Sequence, residues 1–400
     1  TSIDQQIVTL KTTWRNAPDG IPRLLCLIAL VLSDLAVSGH DRQLKEAQDA
    51  LLEELNRQIL DDGGHVSRSA SVLADLILDL LPLGQCFHSR ALQPPKEINE
   101  VVKKALSFLR FMRLGDGMLA RFNGVSTGSP ATLATVLAYS GNDFVVRPVA
   151  SASGYVRLER GETIIVADAG SPPPLEMAIE AQAGALSFEM TSRQYLIFAN
   201  GGFPGPADHS WDAAARATAS HNTLSLAGTS SSRLVRHAQL EEMIGGLPIR
   251  GPESVLSEYS EEDGHAMLKA SHDGYLKRFG LIHTRHLSLA PNGDKLDGVD
   301  ILRPPKGQLR LKHDLPYAVH FHLHPDCRHE LDGHTTCRVK LPDGRIWVFE
   351  AGDTSLAIEE SLFYVDSAGP RPGLQIVLRG TTFGETEIRW TMRAETPDAS

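Results

Sequence analysis

Val101-Val-Lys-Lys-Ala-Leu-Ser-Phe-Leu-Arg-Phe-Met-Arg-Leu-Gly115 is where the chain changes character. Up to this glycine the apolar residues recur at three and four, as in Leu24, Leu25, Ile28, Leu32 and Leu35, then Leu44, Ala47, Leu51 and Leu55. That spacing puts them on one face of a helix. Ser69 stands where it caps a helix starting near Val72, Pro82 closes that run, and Pro94 and Pro95 precede the next helix. The segment from Ile21 to Arg113 reads as four or five antiparallel helices with short connections. Past Gly115 the period falls to two, with Gly or Pro about every ten residues. Strands are expected from Phe144, over Thr163 to Ala167, Tyr195 to Ala199, Phe279 to Leu289, Tyr317 to Leu323, Trp347 to Glu350, Ser355 to Val365, Leu374 to Leu378 and Glu387 to Arg393. Roughly fifteen to eighteen strands make a large antiparallel β-sandwich rather than one small barrel. The expected division is a helical domain over 1–125 and a sandwich over 126–400, an α+β multidomain chain.

The chain has 400 residues, 42% hydrophobic, 22% charged and 6% aromatic, which is globular composition on a length that favours two domains. A formal net charge of -10 argues against nonspecific nucleic-acid binding, which needs clustered Lys and Arg. A polyanionic partner must then meet a local basic patch. The longest apolar stretch, Ile21 to Val37, contains Pro22, Arg23, Ser33 and Asp34, so no clean membrane span of ~20 residues is expected. Opening at Thr1, with no Met and no signal-peptide pattern, the sequence reads as lacking its natural N-terminus. Of the four cysteines only Cys327 and Cys337 are spaced for a hairpin disulfide, and four free thiols is the other reading.

Four constellations could carry chemistry. Asp61-Asp-Gly-Gly-His65 sits at a helix-helix corner whose glycines allow a close approach; an ordinary surface turn has the same composition. Thr218-Ala-Ser-His221-Asn222-Thr223 sets a His-Asn pair beside hydroxyls that could bind a carboxylate or move a proton, or it is a satisfied loop histidine. Ser271-His272-Asp-Gly-Tyr275, followed by Lys277, Arg278, His283 and Arg285, suits an anionic sugar, although basic residues usually decorate solvated strands. His320, His322 and His324 alternate along one strand and so share a face; zinc there would need a fourth partner and supporting hydrogen bonds. The sequence has no GxSxG, Walker, HExxH or GxGxxG pattern, so serine hydrolysis and nucleotide chemistry lack support.

Ile59-Leu-Asp-Asp-Gly-Gly-His65-Val-Ser-Arg68, Phe111-Met-Arg-Leu-Gly-Asp-Gly117 through Phe122-Asn-Gly124, Ala219-Ser-His221-Asn-Thr-Leu224 and Ser271-His-Asp-Gly-Tyr275, in this order, resemble the heparinase II/III-like polysaccharide lyases. The resemblance implies a partial α/α toroid followed by the sandwich, with a substrate cleft between them. It also implies β-elimination on an acidic, uronate-containing polysaccharide in the periplasm or cell envelope, with the cytoplasm as the alternative. Such chemistry neutralises the uronate carboxylate while a base removes the C5 proton. Carried over by motif, His221, His65 and Tyr275 are the catalytic candidates, and Asn222, Arg68, His272 and Arg285 the substrate-binding ones. One departure stands out: related lyases place Ser-Pro-Ser-Tyr-His after the Asp-Gly motif, but here Val72 and Leu73 occupy the Tyr-His positions. Thr223 stands where some relatives place a metal-binding histidine, so no cofactor is expected and structural zinc or calcium lacks support. A noncatalytic glycan-binding member that has lost the tyrosine is the alternative reading.

Overall fold

The computed structural model describes residues 2–126, 128, 130–139, 146–204, 211–244, 246–305, 313–365 and 369–395. Its helical part comprises α1 (Ile3–Thr13), α2 (Ile21–Ala36), α3 (Asp41–Gln58), α4 (Ala70–Ser89), α5 (Lys96–Met112) and α6 (Pro130–Ala138). The three-four spacing does what it predicts. Leu24, Leu27, Ile28, Val31 and Leu35 of α2 meet Leu51 and Leu55 of α3, Leu73 and Ile77 of α4, and Leu106 and Leu109 of α5 in one core. Each such leucine contributes about 1.5–3 kcal/mol by leaving water.

Two boundaries differ from the expectation. Pro82 does not close α4, which runs on to Ser89. A mid-helix proline costs about 3 kcal/mol, and the burial of Leu83 and Phe87 beyond it offsets that loss. The all-β region also begins later than Gly115, because α6 intervenes and buries Leu133, Val136 and Leu137 on the helical core. The start of the strand expected at Phe144 lies outside the described residues. Among the described residues only α4 is long and apolar enough to cross a membrane. Leu73, Leu76, Ile77, Leu80 and Leu83 are buried in the domain core, as in an ordinary core helix.

The rest is chiefly two stacked antiparallel sheets, with a two-stranded pair of Arg233–Leu234 and Ile249–Arg250 and short helices in the connections. The first has the order Val149–Ala150, Tyr155–Arg160, Thr163–Asp168, Phe188–Ser192, Tyr195–Phe198, Leu315–Leu323, Arg371–Thr382, Leu356–Phe363, with Leu224–Leu226 also paired to Leu315–Leu323. The second runs Arg328–Asp332, Thr336–Lys340, Ile346–Glu350, Thr386–Ala394, Lys295–Arg303, Ile282–Leu289, His265–His272, Val255–Glu262. Phe188, Phe198, Phe321, Phe349 and Trp390 fill the space between the sheets. Gly298 lets Trp390 lie flat on the neighbouring strand, since a Cβ there would stand 2.0 Å from the indole. All four cysteines are free thiols. Cys337 lies in the sandwich core, and the Cys327 sulfur faces the Leu196 carbonyl.

The outer face of the first sheet carries the helical domain. Tyr155, Val166, Leu196, Phe363 and Val365 extend the helical core onto that sheet. The period of two decides what else appears there. Along Leu315–Leu323, Val319, Phe321 and Leu323 point into the sandwich. His320 and His322 therefore point outward together, their rings stacked 6.1 Å apart.

Candidate functional site

The corner after α3 is a joint between domains. A Cβ on Gly63 would lie 2.1 Å from the Lys104 carbonyl oxygen, so the glycine admits the backbone of α5 rather than a ligand. His65 is buried, and its Nε2–H donates to Gln58 Oε1 at 2.8 Å. Its Nδ1 accepts from the Ser67 hydroxyl at 2.7 Å and the Ser67 amide at 3.1 Å. Burial, with Arg57 nearby, pushes its pKa down to about 4, so it is a neutral imidazole with both nitrogens engaged. Arg68 adopts φ 63° and reaches across to the first sheet. It pairs with Asp168 at 2.5 Å, donates to the Ser153 carbonyl at 2.6 Å and lies over the Tyr155 ring. Asp62 accepts from the Ser153 amide and hydroxyl beside it.

The Ser271 to Arg285 cluster faces the sandwich interior. The Gly274 amide donates to His272 Nδ1, His272 Nε2 faces His283 Nδ1 at 3.2 Å, and His283 Nε2 donates to Asp300 at 2.8 Å. Arg285 grips both oxygens of Asp300 at 2.8 and 3.0 Å, and Trp390 Nε1 donates to the same carboxylate. Burial alone would raise the Asp300 pKa, yet Arg285 and His283 hold it well below the usual carboxylate range. The Tyr275 hydroxyl donates to the Leu224 carbonyl at 2.8 Å, and burial raises its pKa. Arg285 Nη1 donates to the Leu186 and Asn222 carbonyls. Asn222 is itself a strut, donating to the Phe188 carbonyl and accepting from the His322 amide. Arg285 and Asn222 thus belong to one continuous network, inside the sandwich rather than at an opening, and Tyr275 packs beside it against the His272 ring.

His221 stands apart from that network. Its Nδ1–H donates to the Ala217 carbonyl at 2.8 Å; a carbonyl only accepts, so Nε2 carries the bare lone pair. That Nε2 is buried with no hydrogen-bond partner, and burial pushes the ring's pKa down to about 4. Gly184 backs the ring closely: a Cβ there would sit 2.9 Å from His221 Cδ2. Gln182 Oε1, Ser187 Oγ and Asn200 Nδ2, from the segments packed around this one, are likewise buried without a partner.

The neighbouring imidazole is His322, held through Nδ1 by the Ser361 hydroxyl at 2.6 Å, again with Nε2 unpartnered. Burial, then His320 and His221, press its pKa to about 3. His322, Ser361, Tyr364, Gln375 and Ser220 line a groove of about 760 Å³ over the strand ends. His320, one register back, is satisfied on both sides by Gln375 and Ser225. His324 turns aside to Phe363 and Asp326. The strand therefore does not offer three converging imidazoles, and among the described residues no group of three or more His, Cys, Asp or Glu could hold a metal. His322, Ser361 and Tyr364 were missed as a groove by sequence reasoning; alternation marked His322, but its partners arrive from a strand about forty residues away in sequence.

The tyrosine position of related lyases falls on the first turns of α4. Val72 is half-buried there and Leu73 lies wholly inside the helical core.

The molecule is thus a helical domain seated on the outer face of a large antiparallel sandwich, with a groove beside the buried His322. Residues 147–391 match the model of the heparinase II/III-like C-terminal domain, and the chain belongs to that family. It is 31% identical over 377 residues to FtsZ-localized protein C of Caulobacter vibrioides, covering 91% of this chain and 64% of that protein. The fold is shared with heparan sulfate lyase HepC from Pedobacter heparinus, at a TM-score of 0.73 and 15% identity, over 99% of this chain and 63% of that one. A structure of heparinase III superposes with a TM-score of 0.71 at 13% identity, over 95% of this chain and 62% of the other. The chain thus spans under two thirds of the length of these relatives.

Proposed function

We propose that this chain is the groove-bearing part of a heparinase II/III-like protein that holds a glycan without cleaving it. The observation that carries this reading is the state of the candidate bases. Val72 and Leu73 cannot accept a proton, His65 has both ring nitrogens engaged, and the Tyr275 hydroxyl is buried on a carbonyl. β-Elimination needs a base within hydrogen-bond reach of C5 and cations for the carboxylate. Arg68 and Arg285 are both committed to buried aspartates. The Caulobacter relative carries a name that speaks of location rather than chemistry, and action alongside FtsZ is the second part of the proposal.

The test uses the full-length protein on a panel of uronate and neutral polysaccharides, following the ultraviolet absorbance of an unsaturated uronate together with binding. Binding without any absorbance rise is expected. A sustained rise that His221→Ala abolishes would overturn the reading and establish the second one, a lyase. The bare Nε2 lone pair of His221 favours that second reading. A fluorescent fusion, with periplasmic and cytoplasmic fractions compared, tests the FtsZ part; a purely periplasmic protein would contradict it.

A further inference from the structure

We propose that the groove over the strand ends takes an uncharged, hydroxyl-rich sugar residue, in preference to the uronate its lyase relatives' fold suggests. The inference rests on the glycan-holding reading above and adds the charge of the ligand. At about 760 Å³ the groove falls in the range of small-ligand sites, roughly 300–1,000 Å³. Its described lining contains no Lys or Arg. What it offers is neutral: Ser220 holds the Ala214 carbonyl, Ser361 the His322 ring, and Gln375 the His320 ring and the Glu360 carbonyl, and each keeps a second donor or acceptor suited to a hydroxyl group.

Histidines could in principle supply the missing positive charge. Burial holds His322 and His324 neutral at physiological pH, and the third histidine of the lining, His329, is an exposed side chain on Arg328–Asp332. Glu360 adds a negative charge to the wall, and the cation next along the chain, Arg371, is paired with Asp326 at 2.7 Å. Arg121, which lies near His324, is also committed, to Glu189 and Asp116. A carboxylate placed here would lose its hydration with no cation in return, and burying an unpaired charge is the costlier outcome. A neutral sugar meets no such cost. At the rim Trp211 is 38% exposed and stands 6.0 Å from the Tyr364 ring, an apolar platform for the C–H face of a pyranose.

The experiment is calorimetric titration of the full-length protein with chitohexaose and maltohexaose on one side and a heparan sulfate hexasaccharide and oligogalacturonate on the other. Wild type is expected to bind a neutral oligosaccharide at least tenfold more tightly than either uronate. Trp211→Ala, at an exposed position, should weaken that binding roughly tenfold, which is about 1.4 kcal/mol. Glu360→Lys, also on the surface, should shift preference toward the uronates. A wild type that prefers the uronates overturns this inference while leaving glycan holding intact. Binding to neither class overturns both.

Discussion

Arg68→Met breaks the clamp between the helical domain and the first sheet. The guanidinium and the Asp168 carboxylate are both almost fully buried and 2.5 Å apart, and the same side chain meets the Ser153 carbonyl. Methionine matches the length of the side chain but leaves Asp168 charged, with the Gly170 amide at 3.3 Å as its remaining donor. Removing one partner of a buried pair costs about 3–5 kcal/mol, a large share of the roughly 5–15 kcal/mol by which proteins are stable. Because the clamp joins two parts, the loss should also uncouple them. In a Trp14→Phe, Trp211→Phe background, urea titrations followed by helical circular dichroism and by Trp347 and Trp390 fluorescence should coincide with Arg68 present and separate once it is Met. Arg68→Met with Asp168→Leu should recover most of the loss, since an apolar pair replaces an ion pair at little cost. A single variant that loses under about 1 kcal/mol, with coincident curves, would refute the assignment of the joint.

Two further outcomes follow from the packing. Histidine ring proton shifts should show that His65, His221 and His322 do not titrate above pH 5, because burial holds them to about 4, about 4 and about 3. Below about 6.5 the unfolded chain takes up protons these rings refuse, so their contribution to stability is complete above that pH and is lost as pH falls toward 4; a ring titrating near 6.5 contradicts the burial described. Gly298→Ala puts a methyl into the Trp390 indole and should cost at least 1–3 kcal/mol in a thermal or urea melt, whereas an unchanged melt would mean that the two sheets are less tightly packed than described.

Periodicity carried most of the fold. Helices, strand positions and the sandwich were legible because burial imposes a spacing that survives in the sequence, as along Tyr317 to Leu323. Local rules failed where tertiary packing outweighed them: Pro82 sits inside α4 because Leu83 and Phe87 are buried beyond it. The site was less legible. Arg285 and His272 look like a basic sugar subsite until Asp300, fifteen residues after Arg285, faces Arg285 across a strand pair and meets His272 through His283. The glycines before His65 do permit a close approach, but the neighbour is α5. A motif names residue types; whether their atoms are free depends on partners that the pairing of distant strands supplies.

Arg285 and Asp300 are also direct cross-strand partners in the Ile282–Leu289 and Lys295–Arg303 pair. A slip of one residue would turn one of them to the opposite face, leaving a carboxylate, a guanidinium, an indole N–H and two imidazoles unmatched. Apolar neighbours such as Leu287, Leu289, Leu296 and Leu302 would tolerate a misaligned hairpin far better than these groups do. The network therefore works as a check on register: it makes the wrong alignment of this hairpin of the second sheet expensive once the first sheet is packed over it.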